Sequence, residues 1–183
     1  MLDKINIRKE IKQKRLALSL DTYEAMSLSC FEKFKKVLFN LSVNTIGIYI
    51  SQNNEVDTKK LIEFFWENGI KVVVPKCYKG GTMFFYEIQS WDDVEQGKYG
   101  VLEPKLYCPL VDDIDLMVIP MISFNQEGYR LGMGGGYYDR YISKHDTIKI
   151  GLAFSFQKQI FNQESHDMRF DVVITEKEII KYK

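Results

Sequence analysis

The sequence predicts an α/β fold: a three-layer α/β/α sandwich around a mostly parallel central sheet. Three observations carry that reading. Runs rich in β-branched residues alternate with stretches of helical periodicity. TIGIYIS at 45–51, KKLIEFFWEN at 59–68 and KVVVP at 71–75 follow one another in the order of a βαβ unit. No Pro-, Gly- or Ser-rich linker divides the 183 residues, so one domain spanning 1–183 is expected. A chain of this length buries about 70% of its unfolded surface and needs no staples.

Each element has its own signal. Residues 3–18 read as a helix with many cations (Lys4, Arg8, Lys9, Lys12, Lys14, Arg15) and a thin apolar set of Ile5, Ile11 and Leu18. A second helix starts near Asp21, which can cap it, with Glu24 completing a capping box. Ala25, Leu28, Phe31, Phe34 and Leu38 form its apolar stripe. The strand at 45–51 follows, then a helix that Thr58 can cap and Gly69 can end. KVVVP is a strand buried on both faces, and TMFFYEI at 82–88 is another. Trp91 to Val111 reads as a long irregular connection of the kind that often binds ligands. DLMVIP at 115–120, IKIGLAFS at 148–155 and FDVVIT at 170–175 complete the strands, and a helix opens near Tyr137. Strands and helices in this order give a Rossmann-like sheet.

Composition closes off several classes. Lys+Arg and Asp+Glu both number 25, so no bulk positive field draws nucleic acid. No apolar run approaches the ~18 residues of a membrane span. The charged start, MLDKINIRKEIKQKR, lacks the apolar core of a signal peptide. Cys30, Cys77 and Cys108 are odd in number and far apart, which suits neither a disulfide framework nor a zinc knuckle. His145 and His166 have no second imidazole or thiolate at ligand spacing. A reduced, cytoplasmic protein is expected.

The most informative stretch is RLGMGGGYYDR at 130–140. Gly132, Gly134, Gly135 and Gly136 fall within five positions, between a strand and a helix. Glycines permit positive φ and close approach to a ligand, and a loop entering a helix presents free N–H groups to an anion. Arg130 and Arg140 add fixed cations at either end. Neither a Walker loop nor the dinucleotide fingerprint has this spacing. A glycine turn packed tightly on a sheet is the alternative. Asp139 is open to two readings, a carboxylate favoured at a helix start or a Mg²⁺ ligand beside phosphates. Lys4 and Arg8, four apart, share a helix face that could hold polyphosphate, lie solvated or touch single-stranded RNA. Gln52, Glu55 and Asp57 leave the carboxyl end of the first strand, where α/β sheets bind ligands. They could instead only cap the next helix. Tyr99-Gly100 could stack on a flat heterocycle or form an ordinary packed turn. His166-Asp167 is a weak catalytic signal, and no nucleophile–base pair stands out. The residues suit a site that positions ligands and stabilises charge.

Together these pieces resemble the 5-formyltetrahydrofolate cyclo-ligase family, also called 5,10-methenyltetrahydrofolate synthetases. The match rests on RLGMGGGYYDR, supported by KINIR, IGIYISQNNEVDT, VVVPK, KYGVLEP, DLMVIPMISFNQEGYRLG, IGLAFSFQ and HDMRFDVVIT, and it covers nearly the whole chain. The resemblance implies ATP- and Mg²⁺-dependent closure of 5-formyltetrahydrofolate to the methenyl form, with release of ADP and phosphate. It implies that Lys4 and Arg8 bind ATP phosphates and that Arg130 through Tyr138 (including Gly132, Met133, Gly134, Gly135, Gly136 and Tyr137) cradle the nucleotide. Arg130 or Arg140 would carry the catalytic charge, because Met133 and Gly135 stand where relatives often have a basic residue. Asp139 and Asp167 would hold Mg²⁺. Gln52, Glu55, Asp57, Tyr99, Gly100, Tyr137 and Tyr138 would contact the folate. Small-molecule substrates, no nucleic acid, no membrane and a monomeric state are the expected partners. An isomerase-like α/β enzyme, a non-catalytic folate or nucleotide binder and an RNA binder are the competing readings.

Overall fold

The computed structural model describes residues 3–97, 100–164 and 167–182. Its elements are α1 (Lys4–Leu16), α2 (Leu20–Leu38), β1 (Thr45–Ile48), α3 (Lys59–Glu67), β2 (Lys71–Cys77), β3 (Met83–Ile88), β4 (Val94–Gln96) and β5 (Leu102–Pro104). There follow β6 (Leu116–Ile119), β7 (Ser123–Phe124), β8 (Arg130–Leu131), α4 (Tyr137–Ile142), β9 (Ile148–Leu152), β10 (Val172–Ile174) and β11 (Ile179–Lys181). Seven strands form one sheet in the order β11-β10-β9-β6-β1-β2-β3. The run from β10 to β2 is parallel, and β11 and β3 close its edges antiparallel. The expected mostly parallel α/β sheet is therefore present. No helix among the described residues is long and apolar enough to cross a membrane.

Strand alternation splits the core in two. Ile46, Ile48, Val72, Val74, Leu116 and Val118 face α2 and α3, where Cys30, Phe34, Leu61 and Phe65 are fully buried. Val73, Met117, Ile119 and Val173 face the other way, onto Phe85, Phe170 and the α4 residues Tyr138 and Tyr141. A separate small cluster seats α1 through Ile7 and Ile11 against Ile122, Leu131 and Phe161.

Several local expectations change. Ile7, not Ile5, joins Ile11 in burial, and Ile5 is 69% exposed. In α2 the buried stripe runs Ser27, Cys30, Phe34 and Leu38, leaving Ala25 and Leu28 outward. The helix is rolled about one position from the expected face, and Cys30 Sγ approaches Ala153 O at 3.8 Å. Ser19 caps α2 by accepting from Thr22 N, ahead of the expected Asp21. The connection after Trp91 is not wholly irregular, since β4 and β5 pair within it. Short strands β7, β8 and β11 carry no periodicity long enough to announce themselves.

The Thr58 expectation also changes, and here the fold shapes the site. Thr58 makes no side-chain cap. Its hydroxyl donates to Tyr49 O (2.7 Å) and accepts from Ser51 N (2.9 Å), while Ser51 Oγ accepts from Thr58 N (3.1 Å). This brace fixes the chain leaving β1. The capping role passes to Asp57, whose Oδ1 accepts from Lys59 N at 2.9 Å. Thr58→Val keeps the shape and strands a buried N–H and carbonyl. It should cost about 1–3 kcal/mol, read as a lower urea midpoint with an unchanged m value.

Candidate active site

β1 is followed by α3 on one face and a neighbour, β2, on one side. β6 lies on β1's other side and is followed by α4 on the opposite face. The strand order therefore reverses between the parallel β1 and β6, and beyond the carboxyl ends of such strands a crevice must open. A cavity of about 490 Å³ lies there. Its walls come from the ends of β1 (Tyr49, Ile50), β2 (Pro75, Cys77) and β6 (Pro120, Met121), and from Arg130 and Tyr138. A second cavity of about 680 Å³ adjoins through the glycine loop and is lined by Gly134, Gly135, Gly136, Asp139, Arg140 and Asp167, among others.

Arg130 lies at the junction. Its residue is 8% exposed, yet it lines the first cavity. Nε donates to Pro120 O at 2.7 Å and Nη1 to Asp139 Oδ2 at 3.1 Å, and the guanidinium carbon stands 5.4 Å from the Tyr138 ring centroid. Burial pulls this guanidinium below the ordinary arginine range and the Asp139 carboxylate pulls it back; it stays a cation. Gly132 is required by closeness: a Cβ there would meet Arg130 Nη1 and Nη2 at 2.6 Å. Gly136, at the start of α4, has φ +64 and is left-handed. α4 is only six residues long. A helix this short offers little dipole, so the polar character of this loop comes from its own N–H groups and the arginines beside it.

α1 closes the other side of the loop. Arg8 Nε donates to Gly132 O at 2.9 Å. Lys4 Nζ meets Asp167 Oδ2 at 3.0 Å and Glu164 Oε1 at 2.7 Å. Burial lowers the Lys4 ammonium, but these hydrogen bonds outweigh it and hold Lys4 above the ordinary lysine value. Arg140 lines the second cavity and spends its fork on Gly135 O (2.6 Å) and Gly81 O (3.2 Å). Asp139 and Asp167 line that same cavity. Asp139 Oδ1 accepts from Met168 N at 3.3 Å, and Asp167 Oδ2 accepts from Glu164 N at 2.8 Å. No group of three or more His, Cys, Asp or Glu among the described residues is placed to hold a metal. Two carboxylates beside a glycine loop would suit Mg²⁺, which keeps several waters and needs only one or two protein carboxylates.

At the far end stands Glu55, buried at 7% exposure and lining the first cavity. Burial pushes its carboxyl above the usual range, and Arg15 is the leading influence that pulls it down. Gln52 lines the cavity beside it, and Gln52 N donates to Glu55 Oε2 at 3.1 Å. Asp57 stands apart from the cavity walls, occupied with α3. Met133, Tyr137 and Tyr138 are wall residues, and burial holds the Tyr138 hydroxyl well above the ordinary tyrosine value. Gly100, with φ +72, leads into Val101, Leu102 and Glu103 on the cavity wall. Tyr99 and His166 lie outside the described residues. Sequence reasoning passed over Tyr49, Cys77, Lys79 and Glu103, which also line the cavity. Their positions at strand ends were the available signal.

The model of the 5-formyltetrahydrofolate cyclo-ligase family matches residues 1–176. The chain belongs to that family. With it, the chain belongs to the ligases. The 5-formyltetrahydrofolate cyclo-ligase of Mycoplasma pneumoniae is 34% identical over 96% of this chain and 99% of its own length. The mouse cyclo-ligase is 29% identical over 94% of this chain and 93% of its own. Two solved 5,10-methenyltetrahydrofolate synthetases share the fold. That of Mycoplasma pneumoniae superposes with TM-score 0.81 at 31% identity, covering 96% of this chain and 99% of its own. That of Aquifex aeolicus does so with TM-score 0.86 at 29% identity, covering 97% and 92%.

Gly132→Ala tests the crowding at Arg130 without altering a titratable group. It should displace the guanidinium and lower kcat/KM for the cyclo-ligase reaction about 100-fold, with a far-ultraviolet dichroism spectrum matching wild type.

Proposed function

We propose that this chain closes 5-formyltetrahydrofolate to 5,10-methenyltetrahydrofolate, consuming ATP with Mg²⁺. The observation that carries the reading is Arg130, which lines the cavity ending on Glu55 and donates to Asp139 on the wall of the other, beside the glycine loop and Asp167. A folate and a triphosphate would meet at that arginine. A flat pterin presents adjacent N–H donors, and an ionised Glu55 is the matching acceptor. Tyr49, Tyr137 and Tyr138 offer aromatic surface. Lys4, Arg8 and the Gly134–Gly136 backbone would hold the phosphates.

The chemistry explains why no nucleophile is needed. The formyl oxygen must leave, and hydroxide leaves poorly. That oxygen attacks the γ-phosphorus of ATP, expelling ADP and forming a phosphate ester of the formyl group. N10 then attacks the same carbon, forming the C–N bond, releasing its proton and expelling phosphate. Both steps need positioning and charge stabilisation. Arg130 would stabilise charge on the transferring phosphoryl oxygens, and the walls would exclude water. Asp139 and Asp167 would hold Mg²⁺, which neutralises phosphate charge when bound. The cations Lys4, Arg8 and Arg15 of α1 turn inward to Asp167, Gly132 and Glu55, which favours this reading over an RNA-binding helix. We place the enzyme in the cytoplasm as a monomer acting on small molecules.

The direct test mixes the chain with 5-formyltetrahydrofolate, Mg²⁺ and ATP and follows the near-ultraviolet absorbance of the methenyl product. An ATP-dependent rise is expected, and no rise with a folded preparation overturns the reading. Arg130→Lys keeps charge but loses the fork. It should lower kcat by about 10²–10³-fold while folate affinity changes little. Asp139→Asn should raise the Mg²⁺ concentration for half-maximal rate by about tenfold or more, measured by titration at saturating ATP.

A further inference from the structure

We propose that Arg15 is a positioning residue of the folate pocket, acting through Glu55 to keep that carboxylate ionised and turned toward the cavity. The ligand's identity rests on the cyclo-ligase reading above.

Arg15 occupies an unusual place. Ile7, Ile11 and Arg15 are the buried residues of α1, spaced four apart on one stripe. The third member of an apolar stripe is thus a cation, at 1% exposure. An apolar residue would pack there at lower cost, since a buried charge gains little stability over a well-packed hydrophobe. Moreover, Nε and Nη1 have no hydrogen-bond partner among the described residues. Buried donors are normally satisfied, so an open pair calls for a reason.

Glu55 supplies the reason. Arg15 Nη1 stands 3.6 Å from Glu55 Oε1, beyond hydrogen-bond reach but within ion-pair range. At that distance the guanidinium acts on Glu55 chiefly through its charge. Arg15 also holds the turn that carries Glu55. Its carbonyl accepts from Asn54 Nδ2 at 3.0 Å, and Asn53 and Asn54 are both left-handed, with φ 49 and 51. Asparagine tolerates that conformation better than most residues. One residue thus grips both the backbone and the charge of the Gln52–Glu55 turn.

Among the described residues, Arg130 of β8 is a second cation that acts on Glu55, and it ranks behind Arg15 among the influences on the carboxyl. Tyr23 of α2, Tyr49 after β1 and Tyr138 of α4 also interact with Glu55, and burial keeps their phenols neutral at working pH. Burial already raises the Glu55 carboxyl; without Arg15 it would act with less opposition, and Glu55 would hold its proton at still higher pH. A protonated Glu55 loses acceptor capacity, so folate binding should weaken as pH falls, and the weakening should begin at higher pH.

The test compares wild type with Arg15→Met, Arg15→Lys and Glu55→Gln across a pH series. In Arg15→Met, KM for 5-formyltetrahydrofolate should rise about tenfold or more at neutral pH, with KM for ATP unchanged. The acid limb of kcat/KM for the folate should move to higher pH, and Arg15→Lys should restore most of both. In a Glu55→Gln background the Arg15 change should have little further effect. An unmoved acid limb, equal effects on both substrates, or an undiminished effect without Glu55 would each overturn the proposal. If Arg15→Met does not fold, Arg15→Gln carries the same predictions. Folate binding titrated by tryptophan fluorescence separates the two readings. A wild-type chain that binds without turnover overturns the proposed activity. Arg15→Met binding like wild type at every pH overturns the role of Arg15.

Discussion

The site depends on one buried cation. Arg130 joins the end of β6 through Pro120 O, the first turn of α4 through Asp139 and the face of Tyr138. Removing a charge from water is costly and is tolerable only with good partners. Asp139 supplies the opposite charge, and Pro120 supplies a carbonyl. Glycine at 132 leaves the guanidinium the space a side chain would take, so any larger residue there would displace it. The glycine loop is shaped as much by the arginine it wraps as by any ligand.

α1 is the second constraint. Its 13 residues span about 20 Å and touch both ends of the site. Lys4 reaches Asp167 and Arg8 reaches the glycine loop at Gly132 O, while Arg15 holds the Glu55 turn. Only Ile7 and Ile11, among its apolar residues, anchor it in the small cluster with Phe161. The helix is thus held by little apolar surface and by several directed polar contacts.

The βαβ unit, the parallel strands and the glycine loop were legible because each is written in contiguous residues. TIGI, KVVV and LMVI are short apolar runs that only a buried strand satisfies. The roll of α2 was not legible, because Leu28 and Cys30 are both acceptable core residues and only the sheet surface chooses between them. Nor was the exchange of roles between Asp57 and Thr58. Either side chain can cap a helix, and the choice was made by the Tyr49 carbonyl, which the chain brings within 2.7 Å of the Thr58 hydroxyl.

The sequence by itself determined the class of sheet and the position of the glycine loop, because periodicity and glycine spacing are local properties, and the resemblance of its motifs pointed to the family. Only the tertiary structure decided which charges face one another. Arg15 and Glu55 are 40 positions apart and Lys4 and Asp167 163 apart, and no spacing rule joins them. They meet because strand order reverses between β1 and β6, opening a crevice that α1 closes. Pairing across such distances is set by where the backbone returns, and that is a property of the whole fold.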